Sequence, residues 1–167
     1  MNFDTLISSN AVISNHKIKS KKRALELLAE TLAEEAMRAQ QTDNQDDEKI
    51  NALDIFQLLI EREKLGSTSL GHGVALPHAR TALTKNAVGV FLKLEQGIDF
   101  DSPDSQATDL IFALLVPEHY TDEHLKILSY LATLFSDEEF CKSIRDATNS
   151  SEIYNHLIHW QLTSQAS

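Results

Sequence analysis

The stretch Arg62-Glu-Lys-Leu-Gly-Ser-Thr-Ser-Leu-Gly-His-Gly-Val-Ala-Leu-Pro-His-Ala-Arg80 gathers residue types that handle anions and transfer groups. It holds Gly66, Gly71 and Gly73, three of the five glycines in the chain. Glycine lets backbone N–H groups approach an anion closely, and Ser67, Thr68 and Ser69 add neutral donors beside them. A histidine attacks through one ring nitrogen while the other is held in place, which makes His78 a candidate nucleophile. Pro77 fixes the backbone just before it and so aims the side chain. Arg62 or Arg80 suits phosphate oxygens by charge and fork geometry. The loop lacks the Lys-Ser/Thr ending of a Walker motif, and its spacing is wrong for a dinucleotide fingerprint. Residue types alone therefore describe an α/β domain with an anion site.

The flanking sequence supplies the elements that must position these residues. A helical period runs from about Ser20 to Gln40, with Leu25, Leu28, Ala29, Leu32 and Ala36 on one face and Ser20 as N-cap. The stretch 41–48 has no apolar residue and reads as an acidic, solvated loop. A second helix follows from about Ala52 to Leu65, capped by Asn51, with Leu53, Phe56, Leu59 and Ile60 as its apolar face and Gly66 as its stop. Val74 to His78, Ala87 to Glu95 and Asp109 to Val116 read as strands. Thr121 is placed to cap a helix bearing Leu125, Leu128, Leu131, Ala132 and Phe135, and Ser136 with Glu139 spells a capping box for the next. A last helix buries Ile153, Leu157 and Ile158. A possible strand at Ala11–Ile13 completes the order, which predicts an α/β layered fold with helices over a small mixed sheet.

The 167 residues predict a single domain, and 42% apolar with 24% charged residues is an ordinary globular balance. The formal net charge of −10 weighs against nucleic-acid or anionic-membrane binding, which need a cationic face. Lys17, Lys19, Lys21, Lys22 and Arg23 form a local exception and read as a solvated helix start. The longest apolar run, Leu110 to Val116, suits a buried strand and not a bilayer span. The N-terminus lacks the order of a secretory signal, and Cys141 is the only cysteine, so a cytoplasmic location is expected.

Gly71-His-Gly-Val-Ala-Leu-Pro-His78, preceded by Leu65-Gly-Ser-Thr68, resembles the active-site signature of bacterial phosphotransferase-system (PTS) IIA domains of the fructose/mannitol class, EIIA type-2. The lead-in Glu61-Arg-Glu-Lys-Leu-Gly-Ser-Thr68 is most similar to the nitrogen-regulatory branch. A second block, Val116-Pro-Glu-His-Tyr-Thr-Asp-Glu-His-Leu-Lys-Ile-Leu-Ser129, resembles the family downstream, so the resemblance implies a domain core at about 5–160. Ser69, His72 and Ala79 depart from the common pattern.

The resemblance implies a three-layer α/β/α fold of the mannitol IIA type. It also implies that His78 is phosphorylated, that His124 is the second active-site histidine and that Arg62 flanks the phosphate. Ser67, Thr68, Gly71 and Gly73 would form the phosphate loop. The implied donor is a histidine phosphocarrier protein (HPr or a nitrogen-type NPr). The implied acceptor is a regulatory target, or a IIB unit if the chain is a free-standing sugar-specific IIA component. No cofactor, metal, nucleic acid or membrane insertion is expected. Two rivals of other classes are a metal hydrolase using His72, His78, His119 and His124, and an interaction module that has lost phosphorylation. Their residues supply no His-Glu-x-x-His helix and no cysteine pair. Arg80 and Lys85 read as solvent charges, and His156 with His159 as ordinary helix residues.

Overall fold

The computed structural model describes residues 3–40 and 50–166; the acidic stretch 41–48 lies outside them. After a short helix α1 (Phe3–Leu6) and a 3-10 turn, the chain runs β1 (Val12–His16), α2 (Lys21–Gln40), α3 (Ala52–Lys64), β2 (Ser69–Gly71), β3 (Val74–Ala75), β4 (His78–Thr81), β5 (Val88–Ile98), β6 (Thr108–Pro117), α4 (Asp122–Ser136), α5 (Glu138–Asp146) and α6 (Ser150–Ala166).

The strands form one mixed sheet in the order β1-β5-β6-β3-β2, with β4 also on β6. Strands β5 and β6 pair antiparallel through their middle, from Val88 against Leu115 to Lys93 against Leu110. Both are buried at consecutive positions, as strands are when helices cover each face of a sheet. Helices α2 and α3 pack together as one group, and α4, α5 and α6 as another. Phe135 of α4 stacks on Phe91 of β5 with ring centroids 5.8 Å apart, and it also meets Phe112 and Phe140. Burying one such ring contributes about 1.5–3 kcal/mol.

The caps at Ser20 and Asn51 form as expected: the Ser20 hydroxyl accepts from the Arg23 amide at 3.2 Å and Asn51 Oδ1 from the Leu53 amide at 2.8 Å. Two others differ. Thr121 makes no side-chain cap, and the Glu123 carboxylate accepts from its amide instead. Helix α5 is capped by Asp137, which accepts from Phe140, while the Ser136 hydroxyl turns back to the Thr133 carbonyl.

On two helices one leucine of the expected face turns outward, while Phe56, Leu59 and Ile60 of α3 and Leu128, Leu131 and Phe135 of α4 pack on the core as expected. On α3 the buried side chains are Ile55, Leu59 and Glu63, and Leu53 is exposed. On α4 they are Ile127, Leu131, Leu134 and Phe135, and Leu125 is 68% exposed.

The expected strand over Val74–His78 is present with a break. Val74 and Ala75 pair with Leu110 and Ile111, and His78 pairs with Leu114, so the parallel register continues unchanged across Leu76 and Pro77. Proline has no N–H to give the ladder, and that interrupts it. The Pro77 carbonyl still accepts from the Leu114 amide at 2.9 Å.

Candidate functional site

His78 opens β4, half-buried, directly after the proline. Its Nδ1 lies 2.9 Å from the Leu76 carbonyl oxygen. A carbonyl only accepts, so Nδ1 carries the proton and Nε2 keeps a free lone pair. Burial holds the imidazole pKa below its ordinary value; the Leu76 carbonyl opposes that shift, the Arg62 charge reinforces it and the Glu63 charge opposes it. The ring is therefore neutral at neutral pH.

His124 sits third in α4 and brings its ring edge-to-face against His78, with centroids 5.4 Å apart and planes at 75°. Its pKa is also lowered, first by burial and then by His78 and Arg80. Its Nε2 is buried without a hydrogen-bond partner among the described residues. Two neutral imidazoles, that of His78 with its Nε2 lone pair unprotonated, thus meet where β4 and α4 begin.

Arg62, on the last turn of α3, folds back to donate from Nη1 to the Gly66 carbonyl at 2.9 Å. That contact keeps its charge near His78, whose pKa it lowers. Arg80 is more than a solvent charge. It donates through Nη2 to the carbonyls of Glu118, at 2.7 Å, and Tyr120, and so pins the loop that delivers α4 and His124. Nothing in the spacing of residues announced this, because the loop is adjacent only through the pairing of β4 with β6.

The residues of the expected phosphate loop are held by internal contacts. The Ser67 hydroxyl donates to the Phe100 carbonyl at 2.8 Å and accepts from the Ser69 amide. The Thr68 hydroxyl donates to the buried Glu63 carboxylate. Their protons are committed within the protein. Gly71 and Gly73 have φ of +84° and +82°, with His72 between them at +54°. This turn does cradle an anion, but the anion is the protein's own Asp104. Its carboxylate accepts from the His72 amide at 2.7 Å, and the Ser102 hydroxyl and Gln106 amide donate to the same carboxylate. Those three donors, the His72 amide foremost, bring the Asp104 pKa down to about 2. Arg145 buttresses the same turn, donating to the His72 carbonyl and pairing with Asp109, each at 2.9 Å.

Of the four histidines in the metal-site rival, His78 and His124 meet. His72 is held by its backbone, and the His119 ring packs on Tyr120. Among the described residues no group of three or more His, Cys, Asp or Glu side chains gathers as metal ligands. No described helix is long and apolar enough to cross a membrane.

Comparison with known proteins gives this geometry its context. Residues 5–160 match the family described as phosphoenolpyruvate-dependent sugar phosphotransferase system, EIIA 2. A nitrogen regulatory protein of Bradyrhizobium diazoefficiens is 37% identical over 152 residues, covering 91% of this chain and 92% of that one. The crystal structure of nitrogen regulatory protein IIA-Ntr from Neisseria meningitidis superposes with a TM-score of 0.82 at 35% identity, covering 93% of this chain and 98% of that chain. The IIA mannitol structure from Escherichia coli shares the fold at a TM-score of 0.70 and 20% identity, over 90% of this chain and 97% of that one. The chain belongs to the EIIA type-2 family of the phosphotransferase system, as a IIA phosphocarrier homologous to the nitrogen regulatory IIA-Ntr proteins.

Proposed function

We propose that His78 accepts a phosphoryl group on Nε2 from a histidine phosphocarrier protein, of the HPr or nitrogen-type NPr kind. The phosphorylation state of the chain then acts mainly as a signal to a regulatory target. The observation that carries this reading is the 2.9 Å contact between His78 Nδ1 and the Leu76 carbonyl. It fixes the tautomer in which Nε2 is nucleophilic, without any protein group having to remove a proton.

In the transfer, the P–N bond on the donor breaks as a P–N bond to His78 Nε2 forms, and the Nδ1 proton stays where it is. The ring gains positive character, which the Leu76 carbonyl stabilises. His124, through its unpartnered Nε2, donates a hydrogen bond to a phosphoryl oxygen as that group arrives. The Arg62 charge offsets the phosphoryl charge. Phosphoryl transfer needs this positioning and charge neutralisation more than covalent help. The chain is in this sense a transferase with a phosphohistidine intermediate.

The carrier docks on apolar surface around the histidines. Leu65, Leu70 and Leu125, 85%, 41% and 68% exposed, lie in the three segments that bear or flank Arg62, His78 and His124. Exposed leucines next to polar reactive groups suit a transient interface with an apolar centre. Likeness to nitrogen regulatory proteins over nine-tenths of each chain favours a regulatory role over sugar-specific donation to a IIB unit.

The test is incubation with phosphoenolpyruvate, enzyme I and the histidine phosphocarrier, followed by intact mass of wild type and His78→Ala. One acid-labile phosphoryl addition on wild type, absent from the variant, is expected. Addition that persists in the variant moves the site to another residue, and no addition with any carrier pair overturns the reading.

A further inference from the structure

Lys21 stands in the first turn of α2, where a cation meets the positive end of the helix dipole and is disfavoured. Its side chain is nonetheless drawn inward. Its Nζ lies 2.9 Å from Glu63 Oε2 and 3.0 Å from Asp101 Oδ2, and 4.7 Å from the centre of the Phe100 ring. Glu63 is a carboxylate with only 5% of its side chain exposed, on the buried face of α3. Burying a charge is costly unless it is paired and hydrogen-bonded. Here Lys21 pairs with one oxygen, while Thr68 directs both its amide and its hydroxyl at the carboxylate.

Thr68 passes this restraint on. Its carbonyl accepts from the Leu76 amide at 3.1 Å, on the residue whose own carbonyl accepts from His78 Nδ1 at 2.9 Å. This contact carries on the antiparallel register in which Ser69 of β2 faces Ala75 of β3, so the Leu76 backbone is held from the β2 side right up to the break at Pro77. The contacts form one continuous chain from Lys21 through Glu63, Thr68 and Leu76 to the nucleophile's ring.

From this connectivity we infer that Glu63, held by Lys21, is a positioning residue for His78, setting the ring's tautomer and orientation through Thr68 and the Leu76 carbonyl. The inference rests on the reading that His78 is the phosphorylated residue. It assigns a purpose to one lysine of the 17–23 cluster, and it makes the α2–α3 pair part of the reactive assembly. Glu63 touches no reacting atom; its effect is on where Nε2 points and on which nitrogen holds the proton.

The test uses full-length Glu63→Gln, Thr68→Val and Thr68→Ser. Circular dichroism melting identifies which variants are folded. Nitrogen-15 NMR of the His78 ring reports the tautomer in the unphosphorylated protein. The rate of phosphoryl transfer from the histidine phosphocarrier is measured alongside. Glu63→Gln and Thr68→Val should shift His78 away from the Nδ1-protonated form and slow transfer about tenfold, with little change in KM for the carrier. Thr68→Ser, which keeps the hydroxyl, should restore both. Thr68→Val preserves the buried carboxylate and keeps the test open if Glu63→Gln fails to fold. A native tautomer and native rate in the folded Thr68→Val protein overturn the inference. If wild type takes no phosphate on His78, the site reading fails, while the tautomer measurement still decides whether the relay exists.

Discussion

The Asp104 carboxylate accepts from the His72 amide at 2.7 Å, and so fills the anion position that the turn Gly71-His72-Gly73 creates. The glycine signature thus shapes the loop around an internal anion, which leaves His78 and His124 as the proposed seat of the phosphoryl chemistry. An added Cβ at Gly71 would stand 3.1 Å from Asp104 Oδ2, so the carboxylate would have to give by a few tenths of an ångström, and the φ of +84° itself favours glycine there.

Replacing Asp104 by Asn should loosen this turn, read as faster amide exchange at Gly71 to Gly73. The folded carboxyl titrates at about 2, below its ordinary 3.8. Its contribution to stability is therefore complete above 3.8 and is lost as pH falls toward 2. Carboxyl-carbon NMR of Asp104 through acid titration checks the value, and an ordinary midpoint near 3.8 in the folded protein would contradict the internal-anion assignment.

Gly73→Ala should destabilise the fold by about 1–3 kcal/mol. The residue holds φ +82°, and its Cβ would lie 2.5 Å from Arg145 Nη2 and 2.8 Å from Asp109 Oδ1. The ion pair that buttresses the turn would have to move. Urea unfolding measures the loss, and a variant as stable as wild type would show that the pair relaxes freely.

The pH dependence of phosphorylation should show an acid limb with its midpoint below 6.5, because burial depresses both His78 and His124 beneath that ordinary value. Protonation of His78 removes the attacking lone pair, so the rate falls as pH drops through the folded value. The same shift governs stability. An unfolded chain takes up protons near 6.5 that the folded rings refuse, so stability is level above 6.5 and declines as pH falls from there through the folded values. Transfer rates across that range, with imidazole titrations by NMR, test both statements.

Leu125→Glu should leave stability within about 0.5 kcal/mol of wild type, since the side chain is 68% exposed. It should raise KM for the histidine phosphocarrier about tenfold, equivalent to ~1.4 kcal/mol, by placing charge in an apolar contact. Transfer kinetics at varied carrier concentration separate this from a change in kcat. An unchanged KM would move the docking surface away from α4.

Much of the fold could be read from the residues. Leu25, Leu28, Leu32 and Ala36 do form the buried stripe of α2, and Asn51 does cap α3. The two long strands lie at Val88–Ile98 and Thr108–Pro117, within three residues of their expected ends. The errors share a cause. Leu53 and Leu125 stand near the starts of their helices, where periodicity fits two neighbouring phases equally well. Which phase is buried depends on the sheet each helix meets. Leu125, turned outward beside His124, lies on the surface proposed to receive the carrier.

What the sequence determined by itself is local: a proline that aims a histidine and breaks a ladder, glycines that permit positive φ, capping side chains, and apolar runs that must become buried strands. Each follows from forces acting over a few neighbouring residues. Tertiary structure decided the rest. Only the pairing of β4 with β6 lets Arg80 reach the loop before α4, and only the fold brings His124 to 5.4 Å from His78. Only the packing of α2 against α3 turns Lys21 from a surface charge into the partner of a buried carboxylate. The hydroxyls of Ser67 and Thr68 have several partners open to them in the extended chain, and burial selects the ones that leave no charge or donor unsatisfied.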